Sequence, residues 1–168
     1  GTLAFTLATG RRGFGVRTAI SAKTPAEAVE KLRSEIHSSQ AAKSPRKVCF
    51  LFPGQGSQSV GMARGLYDSE AVFRDAVDEC ANWFRPLLQH DLRKTLYPNE
   101  SEIADAELDI HQTRFTQPCV FTVEYALAKL WMSLGVTPSL LIGHSIGEYV
   151  AAVIAGTFTL EHATRLLT

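Results

Sequence analysis

The stretch LLIGHSIGEYVAAVIAG, residues 140–156, decides the fold that we expect for this chain. It begins as a short apolar run typical of a buried strand, passes through the turn GHSIG and continues as a helix rich in small apolar residues. Strand, G-x-S-x-G turn and helix in this order are the context that a nucleophile elbow requires. The alternative interpretation is a structural tight turn whose serine has no catalytic role.

The residue types in this turn suit a catalytic serine. Gly143 and Gly147 allow the strand and the helix to pass close together, where a Cβ atom would clash. Ser145 then lies at a helix N-terminus, where free N–H groups and the helix dipole favour negative charge. The N–H of Ile146, directly after the serine, is placed to bind the oxyanion of a tetrahedral intermediate. The sequence therefore predicts Ser145 as a nucleophile.

A second apolar run, VCFLF at residues 48–52, predicts a central parallel strand that is buried on both faces. The turn PGQGSQ stops this strand, and its glycines allow the N–H of Gln55 to aim into a cleft at the strand's C-terminal end. A plain strand-to-helix turn is the alternative. The turn does not match a phosphate-binding loop, because the chain has no G-x-x-x-x-G-K sequence.

Helices are predicted around these two strands. Pro118 is expected at the first position of a helix that ends at Gly135 and leads directly into the strand at Leu140. Ser69 is expected to cap an earlier helix, and residues 90–110 are interpreted as surface loops with one short helix at most. The inner side of the earlier helix is predicted to be formed by Val72, Phe73, Ala76, Val77, Cys80 and Phe84. Alternating helices and strands predict a parallel α/β layer.

The first 44 residues read as a separate small unit. A strand is predicted over Val16–Ala22, because β-branched residues alternate there. Thr24, Pro25 and Glu27 predict the start of a helix with a capping box. The apolar face of this helix is expected to contain Ala28, Val29, Leu32 and Ile36, and residues 38–45 read as a linker.

Composition restricts the class of protein. The chain has 168 residues, of which 45% are hydrophobic and 20% charged, with a formal net charge of zero. No basic field is present to hold nucleic acid or an anionic membrane, and no run approaches the length of a membrane span. Cys49, Cys80 and Cys119 lack metal-ligand spacing and are expected to be buried reduced thiols, which suits the cytoplasm.

Two motifs in combination indicate a family. The sequences FPGQGSQ at residues 52–58 and GHSIGEY at residues 143–149, with TQP at residues 116–118 between them, resemble the signatures of malonyl-CoA:acyl-carrier-protein transacylases. That family includes the acyltransferase domains of modular polyketide synthases and fatty acid synthases. Residues 1–44 resemble the linker subdomain between a ketosynthase and an acyltransferase, which favours a multidomain synthase over a free-standing enzyme.

The resemblance implies a fold and a reaction. The fold would be α/β, with residues 45–168 forming the N-terminal part of a hydrolase-like parallel-sheet acyltransferase core, and with a small α+β linker subdomain in front. The core would be incomplete at the C-terminus. The reaction would transfer a malonyl extender unit from coenzyme A to an acyl carrier protein. Malonyl-CoA, the carrier with its phosphopantetheine and the adjacent ketosynthase would be the partners, and the domain itself would bind no cofactor or metal.

The family's roles are carried over residue by residue. Ser145 would hold the acyl group as an ester, and the backbone N–H groups of Gln55 and Ile146 would form the oxyanion hole. Gln117 would lie close to the site and help order it. His144 would orient or pack, since neighbouring residues on a turn point apart. Ile146 and the TQP sequence favour malonyl over methylmalonyl as the extender unit.

The family also uses a histidine base and an arginine that pairs with the malonyl carboxylate, and both are expected beyond Thr168. Arg165 lies too early for that arginine. The other histidines, which are His37, His90, His111 and His162, are interpreted as surface residues. The 168 residues alone are therefore expected to be inactive or nearly so, and an exposed sheet edge is expected to make them unstable or self-associating.

Two other classes of protein remain open. An α/β-hydrolase thioesterase or esterase would have the same elbow, but it would not predict the GQG turn and would hydrolyse its acyl-enzyme with water. A non-catalytic scaffold would use residues 1–44 to hold neighbouring domains apart.

Overall fold

The computed structural model describes residues 2–34, 38–40, 44 and 46–168. Its elements follow one another along the chain as α1 (Thr2–Thr9), β1 (Val16–Arg17), α2 (Pro25–Arg33), β2 (Ser39–Gln40), β3 (Cys49–Phe52), α3 (Arg64–Ser69), α4 (Ala71–Leu88), α5 (Leu92–Leu96), a 3₁₀ turn (Glu100–Glu102), α6 (Ile103–Asp109), α7 (Thr113–Ser133), β4 (Leu140–Gly143), α8 (Ile146–Ile154) and α9 (Leu160–Leu166). The chain divides into two compact units, Gly1–Arg46 and Lys47–Thr168.

The first unit contains a helical cap that the sequence predicts. Thr24 is the N-cap of α2 and accepts a hydrogen bond from the N–H of Glu27, with Pro25 at the start of the helix. One expectation for this unit was wrong. The predicted strand over 16–22 is limited to β1, which pairs antiparallel with β2 inside the predicted linker. The predicted apolar face of α2 is not buried, and Ile36 and His37 lie outside the described residues.

The second unit is built on a parallel pair of strands. Strands β3 and β4 lie side by side with Phe52 opposite Gly143, and α8 follows β4 directly. This arrangement confirms the predicted α/β class. The expectation that the first of these strands is buried on both faces was wrong, because the Leu51 side chain is 69% exposed. Within the part of the chain that the structure describes, β4 is the only strand paired with β3.

Helices α4 and α7 provide most of the core. Phe84 of α4 packs edge to face on Phe121 of α7, at 6.0 Å between ring centroids. The predicted inner residues of α4 are buried except Val72, which is 40% exposed. Ser69 does not cap this helix; its hydroxyl donates to the carbonyl of Gly65, and Glu70 occupies the N-cap position.

Residues 90–110 are more ordered than the sequence analysis predicts. They form α5, the 3₁₀ turn and α6, and Leu92, Leu96 and Ile110 are fully buried. Asp91 caps α5 through the N–H of Arg93. Although this stretch is rich in charged residues, it therefore has a short apolar face that packs against α7.

Helix α7 begins earlier than predicted. It starts at Thr113, so Pro118 lies inside the helix and not at its first position. The hydroxyl of Thr116 donates to the carbonyls of Ile110 and Gln112, which supplies hydrogen bonds in the first turn before the proline. The predicted end is confirmed, because Gly135 follows the last turn with a φ of 85°, a left-handed conformation that glycine adopts easily.

The cysteines and the membrane expectation can be compared with the structure. Cys80 and Cys119 are buried free thiols as predicted. Cys49 is exposed, so the prediction that its thiol is buried was wrong. No helix among the described residues is long and apolar enough to cross a membrane.

Glu124 is an unusual residue in this core. It lies in the apolar middle of α7 with 8% of its surface exposed, and neither carboxylate oxygen has a hydrogen-bond partner among the described residues. Burial raises the pKa of its carboxyl to about 8. Cys49 is the other ionisable residue that lines the adjacent cavity.

This burial makes stability depend on pH. The carboxyl binds its proton more tightly in the folded chain than in the unfolded chain, so stability falls as pH rises from its ordinary pKa through its raised pKa. We expect the free energy of unfolding of the wild-type chain to fall by about 2–3 kcal/mol between about pH 6 and pH 9 relative to Glu124→Gln. Urea unfolding followed by tryptophan fluorescence measures this difference.

Glu107→Gln is the matched control, because Glu107 is exposed on α6. The control should parallel the wild type at every pH. A Glu124→Gln curve with the same pH dependence as the wild type would contradict the assignment of this effect to Glu124.

Candidate active site

The site is built where β3 and β4 end side by side. The N–H of His144 donates to the carbonyl of Phe52 at 2.9 Å, which joins the two strand ends directly above the last register pair. The backbone then turns sharply, since the N–H of Gly147 bonds to the carbonyl of His144 and the N–H of Glu148 to that of Ser145. The predicted strand–turn–helix elbow is present.

Ser145 stands at the apex of this elbow in a strained conformation. Its φ is 54° and its ψ is −119°, a region that residues other than glycine rarely adopt. Ser145 is the N-cap residue of α8, yet its side chain makes no capping hydrogen bond, and the residue is exposed. The hydroxyl is therefore presented to solvent at the positive end of the helix dipole.

The glycines of the elbow are required by close contacts. A Cβ atom on Gly147 would overlap the carbonyl oxygen of Phe52, and one on Gly143 would overlap the backbone of Glu148. Both glycines were predicted to serve this purpose, and the structure confirms the steric reason. Strand, turn and helix thus approach each other closely enough to leave Ser145 at the tip.

The turn after β3 lies against the elbow. A Cβ atom on Gly54 would be 2.8 Å from Nδ1 of His144 and 3.3 Å from Cβ of Ser145. The sequence predicts that this glycine allows the Gln55 N–H to aim into a cleft, and its position between Pro53 and Gln55 does not reveal the contact with the elbow. The two motifs, distant in sequence, meet at this point.

The predicted ordering residue Gln117 also reaches this turn. Its side-chain amide donates to Oε1 of Gln55 at 3.3 Å, which connects α7 to the turn after β3. Gly56 is held in the same turn, because its N–H donates to the side chain of Gln58 at 2.8 Å. Ser145, Gln55, Gln117 and His144 are therefore brought to one end of the sheet.

Two backbone N–H groups remain unused near the serine. Among the described residues, neither the N–H of Gln55 nor that of Ile146 has an acceptor. Ile146 itself is buried at the start of α8, which fixes the direction of its N–H. These are the two donors that the sequence analysis predicts for an oxyanion hole.

The structure offers no histidine partner for Ser145 within the residues it describes. The ring of His90 bonds to the hydroxyl of Thr95 at 2.8 Å and packs on Phe115, so it is half-buried and not the surface residue that was expected. His111 and His162 are exposed as expected. Arg165 pairs with Glu161 one turn away on α9.

No group of histidine, cysteine or acidic side chains in the described ranges could hold a metal ion.

Comparison with known proteins defines the class to which this fold and site belong. Residues 49–168 match the model of the acyl transferase domain family. The solved acyl transferase domain of ZmaA superposes on the chain with a TM-score of 0.91 at 38% identity, covering 97% of this chain and 38% of that one. The chain therefore belongs to the acyl transferase domain family, as the two signature motifs predict.

The relatives show which proteins carry such a domain. Orsellinic acid synthase armB of Armillaria mellea is 38% identical over 171 residues, which covers 98% of this chain and 7% of the synthase. An acyl-carrier-protein S-malonyltransferase from Burkholderia pseudomallei superposes with a TM-score of 0.59 at 36% identity, over 73% of this chain and 36% of that one. The chain thus spans a small part of the synthase and less than half of each solved structure.

The contact at Gly147 can be tested by adding one methyl group. We expect Gly147→Ala to lower the free energy of unfolding by about 1–3 kcal/mol, because the new Cβ atom presses on the backbone of Phe52. Gly65→Ala is the control, since a Cβ atom there meets open space within α3, and it should be neutral or stabilising by up to about 1 kcal/mol. Chemical denaturation compares both with the wild type, and equal effects would contradict the steric assignment.

The strained backbone at Ser145 gives a second test. Glycine adopts a positive φ readily whereas alanine does not, so we expect Ser145→Gly to be more stable than Ser145→Ala by about 1 kcal/mol. Both variants lack the hydroxyl, so their difference in thermal unfolding reports the strain of a Cβ atom at positive φ, offset by the larger entropy that glycine has in the unfolded chain. An alanine variant as stable as the glycine variant would show that Ser145 does not carry this strain.

Proposed function

We propose that this chain supplies the nucleophile and the oxyanion hole of a domain that transfers a malonyl extender unit from coenzyme A to an acyl carrier protein. One observation carries the proposal. Ser145 is exposed at a strained elbow that contacts Gly54 of the turn bearing Gln55, and among the described residues the N–H groups of Gln55 and Ile146 have no acceptor. Membership of the acyl transferase domain family supports this interpretation of the geometry.

The first half-reaction forms an acyl-serine. Oγ of Ser145 attacks the thioester carbonyl of malonyl-CoA and gives up its proton to a base, and the carbonyl oxygen becomes an oxyanion. The N–H groups of Gln55 and Ile146 stabilise that charge. The tetrahedral intermediate then collapses, the C–S bond breaks, and coenzyme A leaves as a thiol after it takes up a proton.

The second half-reaction returns the acyl group to a thiol. The phosphopantetheine thiol of the carrier protein loses its proton and attacks the ester carbonyl, and the same two N–H groups stabilise the second oxyanion. When this intermediate collapses, the C–O bond to Ser145 breaks and the serine recovers its proton. The domain itself binds no cofactor in this scheme, since coenzyme A and phosphopantetheine arrive with the substrates.

Two side chains have supporting roles in the proposal. Gln117 holds the turn through its hydrogen bond to the Gln55 side chain, which keeps the Gln55 N–H aimed at the oxyanion. The His144 ring lies against Gly54 and sets the separation between turn and elbow. His144 is thus a positioning residue, and the base is provided by another histidine of the domain.

Residues 1–44 are proposed to be the linker subdomain beside a ketosynthase of the same synthase. The match to orsellinic acid synthase covers 98% of this chain. The match to the B. pseudomallei malonyltransferase covers 73%, which is the share that Lys47–Thr168 makes up, 122 of 168 residues. These coverages support a polyketide synthase as the parent protein, and a cytoplasmic location remains a prediction.

The proposal can be tested in a chimaera in which residues 1–168 replace the matched segment of the ZmaA acyl transferase domain. After incubation with malonyl-CoA, intact-protein mass spectrometry should show one malonyl group, located on Ser145 by peptide mapping. Addition of holo carrier protein should clear the ester and load the carrier. The 168-residue chain alone should transfer malonyl several orders of magnitude more slowly, because it lacks the base.

Ser57→Ala is the matched control, since Ser57 is a second serine in the turn after β3 and should not be needed for the ester. Ser145→Ala should abolish the ester. Release of free malonate at the same rate with and without carrier would contradict transfer and indicate a thioesterase. An ester that persists in Ser145→Ala would refute the assigned nucleophile.

A further inference from the structure

The chain that follows the turn bearing Gln55 passes through a strained segment, residues 61–64. Gly61 has a φ of 77° and Ala63 a φ of 57°, so both adopt the left-handed conformation. Alanine rarely does so, because its Cβ atom then crowds the backbone. Ala63 is also the N-cap residue of α3 and supplies no side-chain capping hydrogen bond. Contacts from elsewhere in the fold must therefore hold this segment in place.

Those contacts come from the end of helix α5. The N–H of Gly61 donates to the carbonyl of Leu96 at 2.7 Å. The guanidinium of Arg64 donates to the carbonyl of Pro98 at 3.0 Å, and its carbon lies 5.4 Å from the centroid of the Tyr97 ring. Both ends of the strained segment are therefore bound to the end of α5.

The end of α5 is itself fixed in the core. Leu96 is fully buried, and the ring of Tyr97 packs on that of Tyr67 at 4.4 Å between centroids. The hydroxyl of Tyr67 donates to Asp78 of α4 at 2.9 Å, and Arg93 of α5 donates to the same carboxylate at 3.1 Å. Helices α3, α4 and α5 are thus joined at one carboxylate, which gives the strained segment a fixed support.

The strained segment is in turn one of the supports of the candidate site. The side chain of Gln117 donates to that of Gln55 at 3.3 Å, and the N–H of Gly56 donates to the side chain of Gln58 at 2.8 Å. Two residues separate Gln58 from Gly61. A displacement of the strained segment would therefore move the turn and redirect the N–H of Gln55.

We propose that Arg64 is a positioning residue for the reaction. It holds the strained segment against α5 and thereby keeps the N–H of Gln55 directed at the oxyanion that forms beside Ser145. The inference rests on the proposed function, because the oxyanion hole is part of it. Arg64 acts through the main chain of the turn and touches no reacting atom.

The ZmaA chimaera tests this role in the acylation half-reaction. Arg64→Ala should lower the single-turnover rate constant for ester formation about 10- to 100-fold and leave the half-saturating concentration of malonyl-CoA unchanged, because an oxyanion donor acts on the transition state. Arg64→Lys keeps the charge and a donor but not the planar group, so it should lose less. A higher half-saturating concentration at an unchanged rate constant would overturn the proposal.

Arg74→Ala is the matched control. Arg74 donates to the carbonyls of Tyr67 and Asp68 at 2.9 and 3.1 Å, so it binds the opposite end of α3 in the same manner. Its rate constant should match that of the wild type. An equal loss in Arg64→Ala and Arg74→Ala would show that α3 affects the site only through general stability, which would refute the assigned role.

Tyr97 allows the ring to be tested separately from its hydroxyl. The hydroxyl is buried without a hydrogen-bond partner among the described residues, so Tyr97→Phe keeps the surface on which Arg64 lies. Tyr97→Leu removes that surface and should form the ester about tenfold more slowly than Tyr97→Phe. Equal rates in the two variants would contradict the part of the ring in holding Arg64.

Hydrogen exchange in the 168-residue chain tests the same coupling without activity. Arg64→Ala should accelerate exchange of the N–H groups of Gly61 and Gly56 about tenfold and leave that of His144 in the elbow unchanged. Acceleration at Gly61 alone would show that the strained segment does not support the turn and would overturn the proposal. A wild-type chimaera that forms no ester on Ser145 would refute the proposed function, and the exchange rates would still decide whether Arg64 supports the turn.

Discussion

The structure depends on the close approach of two backbones at the end of the parallel strand pair. The carbonyl of Phe52 accepts a hydrogen bond from His144, and Gly147 passes so near the same carbonyl that no side chain fits between them. Strand β3, the turn of β4 and helix α8 are therefore fixed with respect to each other by main-chain contacts. Surface side chains contribute little to this geometry, which is why short glycine-containing motifs define it.

This approach leads to a strained serine. A positive φ at a residue other than glycine is unfavourable by about 1–3 kcal/mol, so the surrounding contacts must hold it in place. Ile146 and Val150 anchor α8 in the core, and α7 packs against that helix from below. The packing of these helices stabilises the elbow, and the elbow in return presents the exposed Ser145, whose side chain makes no capping hydrogen bond.

Local chemistry explains which features the sequence could predict. The elbow glycines, the cap at Thr24 and the end of α7 at Gly135 depend on residues adjacent in the chain, and all were predicted. Burial of residues 90–110 depends on packing under α7, which no local pattern reports. The contact of Gly54 with the elbow likewise joins segments some ninety positions apart. The prediction for Pro118 was wrong because proline favours the first turn of a helix, whereas this helix accommodates it at a later position.

The candidate site and the cavity beside β3 depend on different parts of the structure. The residues predicted as nucleophile and oxyanion donors are held by contacts inside Lys47–Thr168, among them the hydrogen bond from His144 to Phe52 and the close approach of Gly54 to the elbow. Glu124 and strand β3, by contrast, line a cavity, and neither carboxylate oxygen of Glu124 has a partner among the described residues. The geometry of the predicted site is therefore set by main-chain contacts at the elbow, whereas the burial of the sheet is not.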